Sequence, residues 1–354
     1  MITHLEHIIT KKQYRSRLDF FSEEYCKDAE SGLLIPIYNN IFNSLDWSKE
    51  PVESLKTLMY QRASQLREKY SYIIVYFSGG SDSTTVLNTF VNNNIPIDEI
   101  VINAFTDLPD IKYNGTVALN YLKQINYSGK VTLVNLTSEI INTFCKKELW
   151  IKHKYFAGSI HTLNRMVISF YEENNLVPTT NRPTEIAHIY GESNPIIIVK
   201  DNKYYCQLPY RMIGGVGWEE NLSLFFTSAD FPKLHLKQAH IIAKYFIENH
   251  PEEKVILESN PKYRIKYKSL IRDPWNQSVD FQKGIEVSGL KNIFDPRSET
   301  YELLRFYSEK DISIVKNYKD SIVKDFTNTP LFKRHKDTAA LPIKDMVQFY
   351  LFDA

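Results

Sequence analysis

Cysteine is nearly absent from this chain. Cys26, Cys145 and Cys206 are the only three in 354 residues, odd in number, far apart and with no CxxC pair. A zinc site or iron–sulfur cluster built on paired cysteines therefore has no ligands. A disulfide framework is not expected either, which fits a reducing compartment. The opening stretch Met1-Ile2-Thr3-His4-Leu5-Glu6-His7 lacks the basic segment and apolar run of a signal peptide. No run of about eighteen apolar residues occurs, so no spanning helix is expected. Charge of one sign is missing too: Lys+Arg number 43 and Asp+Glu 42. No global field draws the molecule to nucleic acid or to membranes. These absences predict a cytoplasmic protein without a membrane partner. With 43% hydrophobic and 24% charged residues, the chain has the mix of a globular protein long enough for two or three substructures. No internal repeat or low-complexity tract stands out.

The pattern along the chain divides it into three segments. Residues 1–69 read as mainly helical, with Leu55, Leu58, Met59 and Leu66 at helical spacing. From Tyr70 the pattern changes. Tyr72 to Phe77 is a continuous β-favouring apolar run, as expected of a strand buried on both faces. A glycine turn follows, then helical spacing at Val86, Leu87, Phe90 and Val91. Further strands are predicted at Glu99–Phe105, Lys130–Asn135 and Ile186–Tyr190, with a helix over Tyr113–Gln124. A hairpin is predicted from Pro195–Lys200 through a turn at Asp201-Asn202-Lys203 into Tyr204–Gln207. This order predicts an α/β domain over residues 70–208 with a parallel, Rossmann-like sheet. Residues 209–354 read as mainly helical, with one helix marked by Leu234, Leu236, Ala239, Ile242 and Phe246. Helices are also predicted at Thr300–Tyr307 and near Leu341–Leu351, after an irregular loop from Asp273 to Arg297.

The densest chemistry lies in Ser78-Gly79-Gly80-Ser81-Asp82-Ser83-Thr84. A glycine pair directly after a buried strand lets backbone N–H groups turn toward one point with no Cβ in the way. The following helix aims its N-terminus at the same point, and its dipole favours negative charge. Ser78, Ser81, Ser83 and Thr84 add hydroxyls. The result is a pyrophosphate cradle. Asp82 would repel phosphate by itself, but makes sense there if it holds or orients Mg²⁺. The plainer alternative is a Gly-Gly-Ser turn capped by Ser or Asp. The GxxxxGK[ST] pattern is missing and the loop has no lysine, which argues against a γ-phosphate-transferring P-loop.

The loop resembles the SGGxDS signature of the PP-loop ATP-pyrophosphatase superfamily, whose adenine-nucleotide-binding sheet is of the HUP type. Asparagine synthetase, GMP synthetase, argininosuccinate synthase, 7-cyano-7-deazaguanine synthase, tRNA-lysidine synthase and phosphoadenylylsulfate reductase are relatives within it. The resemblance covers about residues 70–200. It implies ATP as substrate, Mg²⁺ as cofactor, and Ser81 and Asp82 as catalytic residues. It also implies that the second strand ends beside the adenine, with the backbone near Ala104 and Phe105 on the adenine edge; an ordinary sheet strand is the alternative there. Thr106-Asp107-Leu108-Pro109-Asp110 is similar to the acidic–proline turn of the sulfate-reductase branch. Gly191-Glu192 after the fourth strand resembles the start of the Gly-Glu-Gly-Ala-Asp segment that asparagine synthetase places near magnesium and pyrophosphate. The aspartate of that segment is not in register here, and a solvated turn is the alternative.

Other features point less far. Lys262, Arg264, Lys266 and Lys268 alternate with apolar residues and would share one strand face, fit for RNA phosphates or for an edge strand guarded by lysines. Lys333-Arg334-His335-Lys336 would neutralise leaving pyrophosphate or form a solvated turn. Arg165 and Arg211 are single basic positions of the same kind. Gly214-Gly215-Val216-Gly217 follows no clear strand and is not a nucleotide loop. His235 and His240 stand at i, i+5, a poor metal spacing, so packing or surface roles are expected.

Absences choose among the superfamily's chemistries. The zinc-binding cysteines of deazaguanine synthases, the cysteine pairs of thiolating members and the C-terminal cysteine motif of the sulfate reductase are missing. So is the Met-Cys start of a glutaminase domain. The expected reaction is attack by a substrate oxygen on the α-phosphorus of ATP, release of pyrophosphate, and amide or C–N bond formation. Nitrogen would come from free ammonia, a separate amidotransferase, or an amine on the substrate. The alternatives are a non-catalytic ATP-binding module or sensor, and an RNA-modifying or phosphoadenylylsulfate-reductase-like member.

Overall fold

The computed structural model describes residues 5–7, 13–14, 34–36, 42, 44–104, 115–135, 137, 139–140, 185–191, 195–200, 203–207, 222–228, 230–249, 270–272 and 348–353. In chain order its elements are β1 (Leu5–His7), β2 (Gln13–Tyr14), β3 (Leu34–Pro36), α1 (Leu55–Lys69), β4 (Tyr72–Tyr76), α2 (Ser81–Asn92), β5 (Glu99–Ala104), α3 (Thr116–Gln124), β6 (Val131–Asn135), β7 (Ile186–Tyr190), β8 (Ile196–Lys200), β9 (Lys203–Gln207), β10 (Leu222–Leu224), α4 (Pro232–Asn249) and β11 (Gln348–Asp353).

The fold is α/β. Its main sheet has the order β10-β7-β4-β5-β6, and every neighbouring pair in it is parallel. β4 lies at the centre, with Tyr76 opposite Tyr190 of β7 on one side and Val101 of β5 on the other. Ile73, Ile74 and Val75 are fully buried, which explains why this strand is an unbroken apolar run rather than an alternating one. Each such side chain contributes about 1.5–3 kcal/mol of burial.

One face of the sheet carries the helices. Ile73, Val75, Ala187 and Ile189 pack with Leu58, Met59 and Leu66 of α1, Val86 and Phe90 of α2, and Leu234, Ala239 and Ile242 of α4. Phe77, Ile100 and Ile102 continue that face beneath Leu87 of α2 and Ala118 and Leu122 of α3. The opposite face, with Ile74, Val101, Ile186 and His188, is buried as well. Near its β5 end sits Glu99, fully buried, which accepts hydrogen bonds from Tyr72 and Lys130 (both 2.8 Å) and from Thr132. Burial and the adjoining carboxylate push the Tyr72 phenol up, so it stays a donor.

α1 starts where Ser54 Oγ accepts the Thr57 N–H at 3.1 Å, an N-cap. It ends with Arg67 and Lys69 in its last turn, which suits the helix dipole. Arg62 is buried on it and pairs with Asp230 at 3.0 Å, tying α1 to the start of α4.

Two expectations need correction. Residues 1–69, expected to be mainly helical, carry strands beside α1: β1, β2 and β3 form a three-stranded antiparallel sheet. Strands of two or three residues are too short to register as a periodicity. The C-terminal stretch expected as helix near Leu341–Leu351 instead ends in β11, which pairs antiparallel with β9. Phe349, Tyr350, Leu351 and Phe352 are residues that favour a pleated, half-buried surface. Leu351 is fully buried and Tyr350 packs on Tyr205, rings 6.0 Å apart. The predicted hairpin strands are present as β8 and β9, paired antiparallel with Lys200 opposite Lys203; residues 201–202 of the predicted turn lie outside the described residues. The described parts of residues 209–354 are interleaved with the rest: β10 adds to the main sheet, β11 to the hairpin, and α4 packs on α1. Thr300–Tyr307 and the loop 273–297 lie outside the described residues.

Among the described residues no helix is long and apolar enough to cross a membrane.

Candidate functional site

β4, β5 and β6 follow one another across the sheet in one direction, while β7 lies on the other side of β4. The carboxyl ends of β4 and β7 therefore meet where the strand order reverses, which is where open α/β sheets bind ligands. Two predicted segments arrive there together. The loop after β4 is Phe77 to Gly80, and the residue after β7 is Gly191. An ideal Cβ on Gly191 would lie 2.6 Å from the Asp82 carbonyl oxygen and 2.9 Å from the Ser83 nitrogen. Only glycine allows this approach of β7's end to the first turn of α2.

The loop needs its other glycine for a different reason. Gly79 has φ +76°, in the left-handed region, and a Cβ there would meet Val117 Cγ1 at 2.9 Å and Ala118 N at 3.0 Å. The chain thus reverses from strand to helix while lying against the start of α3. Gly80 is the N-cap of α2, and no side chain caps that helix end. The first intrahelical bond is Thr84 N–H to Gly80 O, 2.9 Å. The amides of Ser81, Asp82 and Ser83 have no acceptor within the helix.

The hydroxyls divide into two sets. Ser78 and Ser83 brace the loop: Ser83 Oγ accepts the Ser78 N–H (3.2 Å), donates to Gly80 O (3.2 Å) and lies 3.0 Å from Ser78 Oγ. Ser78 Oγ in turn accepts the Gly80 N–H at 3.3 Å. Ser81 Oγ donates to Asp82 Oδ1 at 3.3 Å. Thr84 Oγ1 is buried with no hydrogen-bond partner among the described residues, and the same holds for Asn103 Oδ1 at the end of β5. Ser78 is exposed, and the Asp82 side chain is 22% exposed. The loop therefore opens to the surface at one end and is anchored in the core at the other.

Asp82 has a partner that no local pattern announces. Arg272 Nε donates to Asp82 Oδ1 at 2.7 Å. Arg272 is buried, and its guanidinium carbon lies 3.3 Å from the centroid of Phe226, a cation–π contact. Its carbonyl oxygen accepts from Thr85 Oγ1 at 2.5 Å. Phe226 packs edge-on against Phe225, which contacts Phe90 of α2. The arginine is thus built into the same packing that holds the helix.

His235 and His240 are buried on α4 and take packing roles. His235 Nδ1 lies 3.0 Å from Thr227 Oγ1, and His240 Nε2 lies 2.8 Å from the Trp47 carbonyl. Burial, and then the charge of Arg272, push His235 down to about 3, so the ring is neutral at neutral pH.

Of the predicted site residues, the structure joins Ser78, Gly79, Gly80, Ser81, Asp82, Ser83, Thr84 and Gly191 at one place. Ala104, buried at the end of β5, lies at the same carboxyl edge of the sheet. Phe105 and Glu192 lie outside the described residues, as do Arg165, Arg211, the 262–268 stretch and Lys333–Lys336. Arg272 and Phe226 went unnoticed in the sequence because their contact to Asp82 is long-range.

Among the described residues no group of three His, Cys, Asp or Glu side chains could hold a metal ion. Among the described residues a single carboxylate, Asp82, stands at the cradle. That suits Mg²⁺ in the form in which it accompanies nucleotides, held by one or two carboxylates, water and substrate phosphates. It does not suit a metal caged by protein alone. No protein-family model matches the chain, and no curated protein matches it.

Proposed function

We propose that this chain is a PP-loop ATP pyrophosphatase with a Rossmann-like, HUP-type nucleotide domain. It adenylates a substrate oxygen, of a carboxylate, amide or similar group, and releases pyrophosphate. Amide or C–N bond formation follows, as in asparagine synthetase but with nitrogen from free ammonia, a separate amidotransferase or the substrate itself. The observation that carries this reading is the junction of β4 and α2. A left-handed Gly79, a side-chain-free cap at Gly80 and an uncapped helix N-terminus form a cradle at the reversal point of the sheet.

The roles follow from chemistry. The amides of the first turn of α2 and the hydroxyls of Ser81 and Thr84 receive the α- and β-phosphates, where charge develops as pyrophosphate leaves. Ser78 and Ser83 hold the loop in its receiving shape. Gly191 lets the end of β7 close on the cradle, and the end of β5, with Ala104 and the Asn103 carbonyl, takes the adenine edge. Asp82 is the residue that would hold Mg²⁺, which supplies charge neutralisation to the phosphates when bound. Ion pairing between Asp82 and Arg272 leaves their combined charge near zero. The cradle's own positive potential is then the helix dipole, and the remaining phosphate charge requires the metal and basic side chains. The test is pyrophosphate release from ATP with a mixture of carboxylate and amide acceptors plus ammonia. Wild type should release pyrophosphate and Asp82→Ala should not. No release from wild type with any acceptor would leave a binding module instead.

A further inference from the structure

We infer that Arg272 is a positioning residue for Asp82, fixing the carboxylate that faces a nucleotide-bound magnesium. This rests on the proposed function. A guanidinium almost wholly removed from solvent must be hydrogen-bonded and paired to be tolerated. Arg272 is 1% exposed and meets the carboxylate with its Nε at 2.7 Å. Two further contacts fix the arginine relative to α2, the helix that carries Asp82. Its guanidinium lies on Phe226, and its carbonyl oxygen shares the Thr85 hydroxyl proton with Ser81 O, which is 2.8 Å from Thr85 Oγ1.

The direction of the contact matters. Arg272 Nε and Ser81 Oγ both reach the same oxygen, Oδ1. The Arg272 bond, at 2.7 Å, is the shorter and sets the orientation of the group; the Ser81 hydroxyl, at 3.3 Å, can turn from it to a phosphate. The carboxylate nevertheless stays 22% exposed, so the fixed group borders solvent at the mouth of the cradle. A ligand oxygen held this way by an outer partner is the arrangement that tunes metal affinity elsewhere. A glutamine at position 272 keeps an amide Nε2 donor at the reach of the arginine Nε but loses the charge and the guanidinium stacked on Phe226, so its hold on the carboxylate is weaker. A lysine keeps the charge but loses the planar donor and the flat stack on Phe226.

The experiment is calorimetric titration of the full-length protein with α,β-methylene-ATP over a range of Mg²⁺ concentrations and in EDTA. Wild type, Arg272→Gln, Arg272→Lys, Asp82→Asn and the Asp82→Asn/Arg272→Gln double variant are compared, with folding checked by urea unfolding. Arg272→Gln should raise the Mg²⁺ half-saturation of nucleotide binding by about 10- to 100-fold, with affinity in EDTA close to wild type. The double variant should be no worse than Asp82→Asn alone. If Arg272→Gln does not fold, Arg272→Lys should show a smaller shift of the same sign. A folded variant with unchanged Mg²⁺ half-saturation, or with equal losses in Mg²⁺ and in EDTA, overturns the positioning role. Wild type that binds no nucleotide in either condition overturns the proposed function itself, which is a separate and recognisable result.

Discussion

Arg272 Nε lies 2.7 Å from Asp82 Oδ1, a bond that spans 190 residues of sequence. It links the last third of the described chain to the first turn of the helix at the cradle. The arginine is buried, so its pairing has a stability consequence apart from any chemistry. Asp82→Asn leaves the guanidinium facing a neutral amide. Removing one partner of a fully buried pair costs 3–5 kcal/mol; the partial exposure of Asp82 lowers the expectation to about 2–4 kcal/mol. Adding Arg272→Met should recover part of that loss, because an apolar side chain in that space carries no uncompensated charge. Urea midpoints of the two single variants and the double variant measure the coupling, and strict additivity would contradict a direct pair.

Two glycines should fail for different reasons. Gly79→Ala places a Cβ at a φ of +76° and 2.9 Å from Val117 Cγ1, a left-handed strain of about 1–2 kcal/mol plus the contact. Gly191→Ala puts its Cβ 2.6 Å from the Asp82 carbonyl oxygen, with no unusual φ. Backbone cannot swing aside as a side chain can, so the first turn of α2 must shift away from β7. Nucleotide affinity should fall in both. Gly191→Ala should lower the unfolding midpoint further, because three backbone atoms lie within 2.9 Å of its Cβ, whereas the tightest contact of Gly79→Ala is with a side-chain tip, Val117 Cγ1. Calorimetric nucleotide titration beside urea unfolding separates the two.

Helix α4, packed on the sheet, sets a pH dependence. His235 has its folded pKa pushed down to about 3 by burial and the Arg272 charge, while the unfolded ring titrates near 6.5. Below that value the unfolded state binds a proton that the folded state refuses. Stability is therefore full above about pH 6.5 and falls with acid by up to about 1.4 kcal/mol per pH unit. His240, also lowered chiefly by burial, acts with the same sign. Between pH 6.5 and 5 the histidines dominate. Asp230 and Glu50, whose burial is outweighed by Arg62 and by Lys237 and Lys244, are held below the usual carboxylate range and take up protons later. His235→Asn should flatten the slope of unfolding free energy over that interval, and an unchanged slope would contradict the assignment.

Much of the main sheet could be read in the sequence because its strands are buried on both faces. Tyr72–Tyr76 is a continuous apolar run and Ile186–Tyr190 is one broken only by His188, and a glycine pair after the first marks the turn. The loop from Ser78 to Thr84 is contiguous, so its residue types alone mark a glycine turn running into a helix, the turn proposed above to receive phosphate. What could not be read is what sequence distance hides. Arg272 follows Leu270-Ile271 with nothing local to set it apart, and its meaning comes from Asp82 and Phe226 in space. The strand character of β11 is hidden in the same way, because its register is set by β9, a partner more than 140 residues earlier by the pairing of Tyr350 with Tyr205. Gly191 was legible as a turn residue, but the reason for it, the backbone of Asp82, was not.

The most direct test of the account is the bond that is cut. Full-length protein incubated with α-³²P-ATP, Mg²⁺ and a pool of carboxylate, amide and amine metabolites should yield labelled AMP, or an AMP adduct, with one pyrophosphate released for each. Labelled ADP and free phosphate would place the cleavage between the β- and γ-phosphates and contradict it.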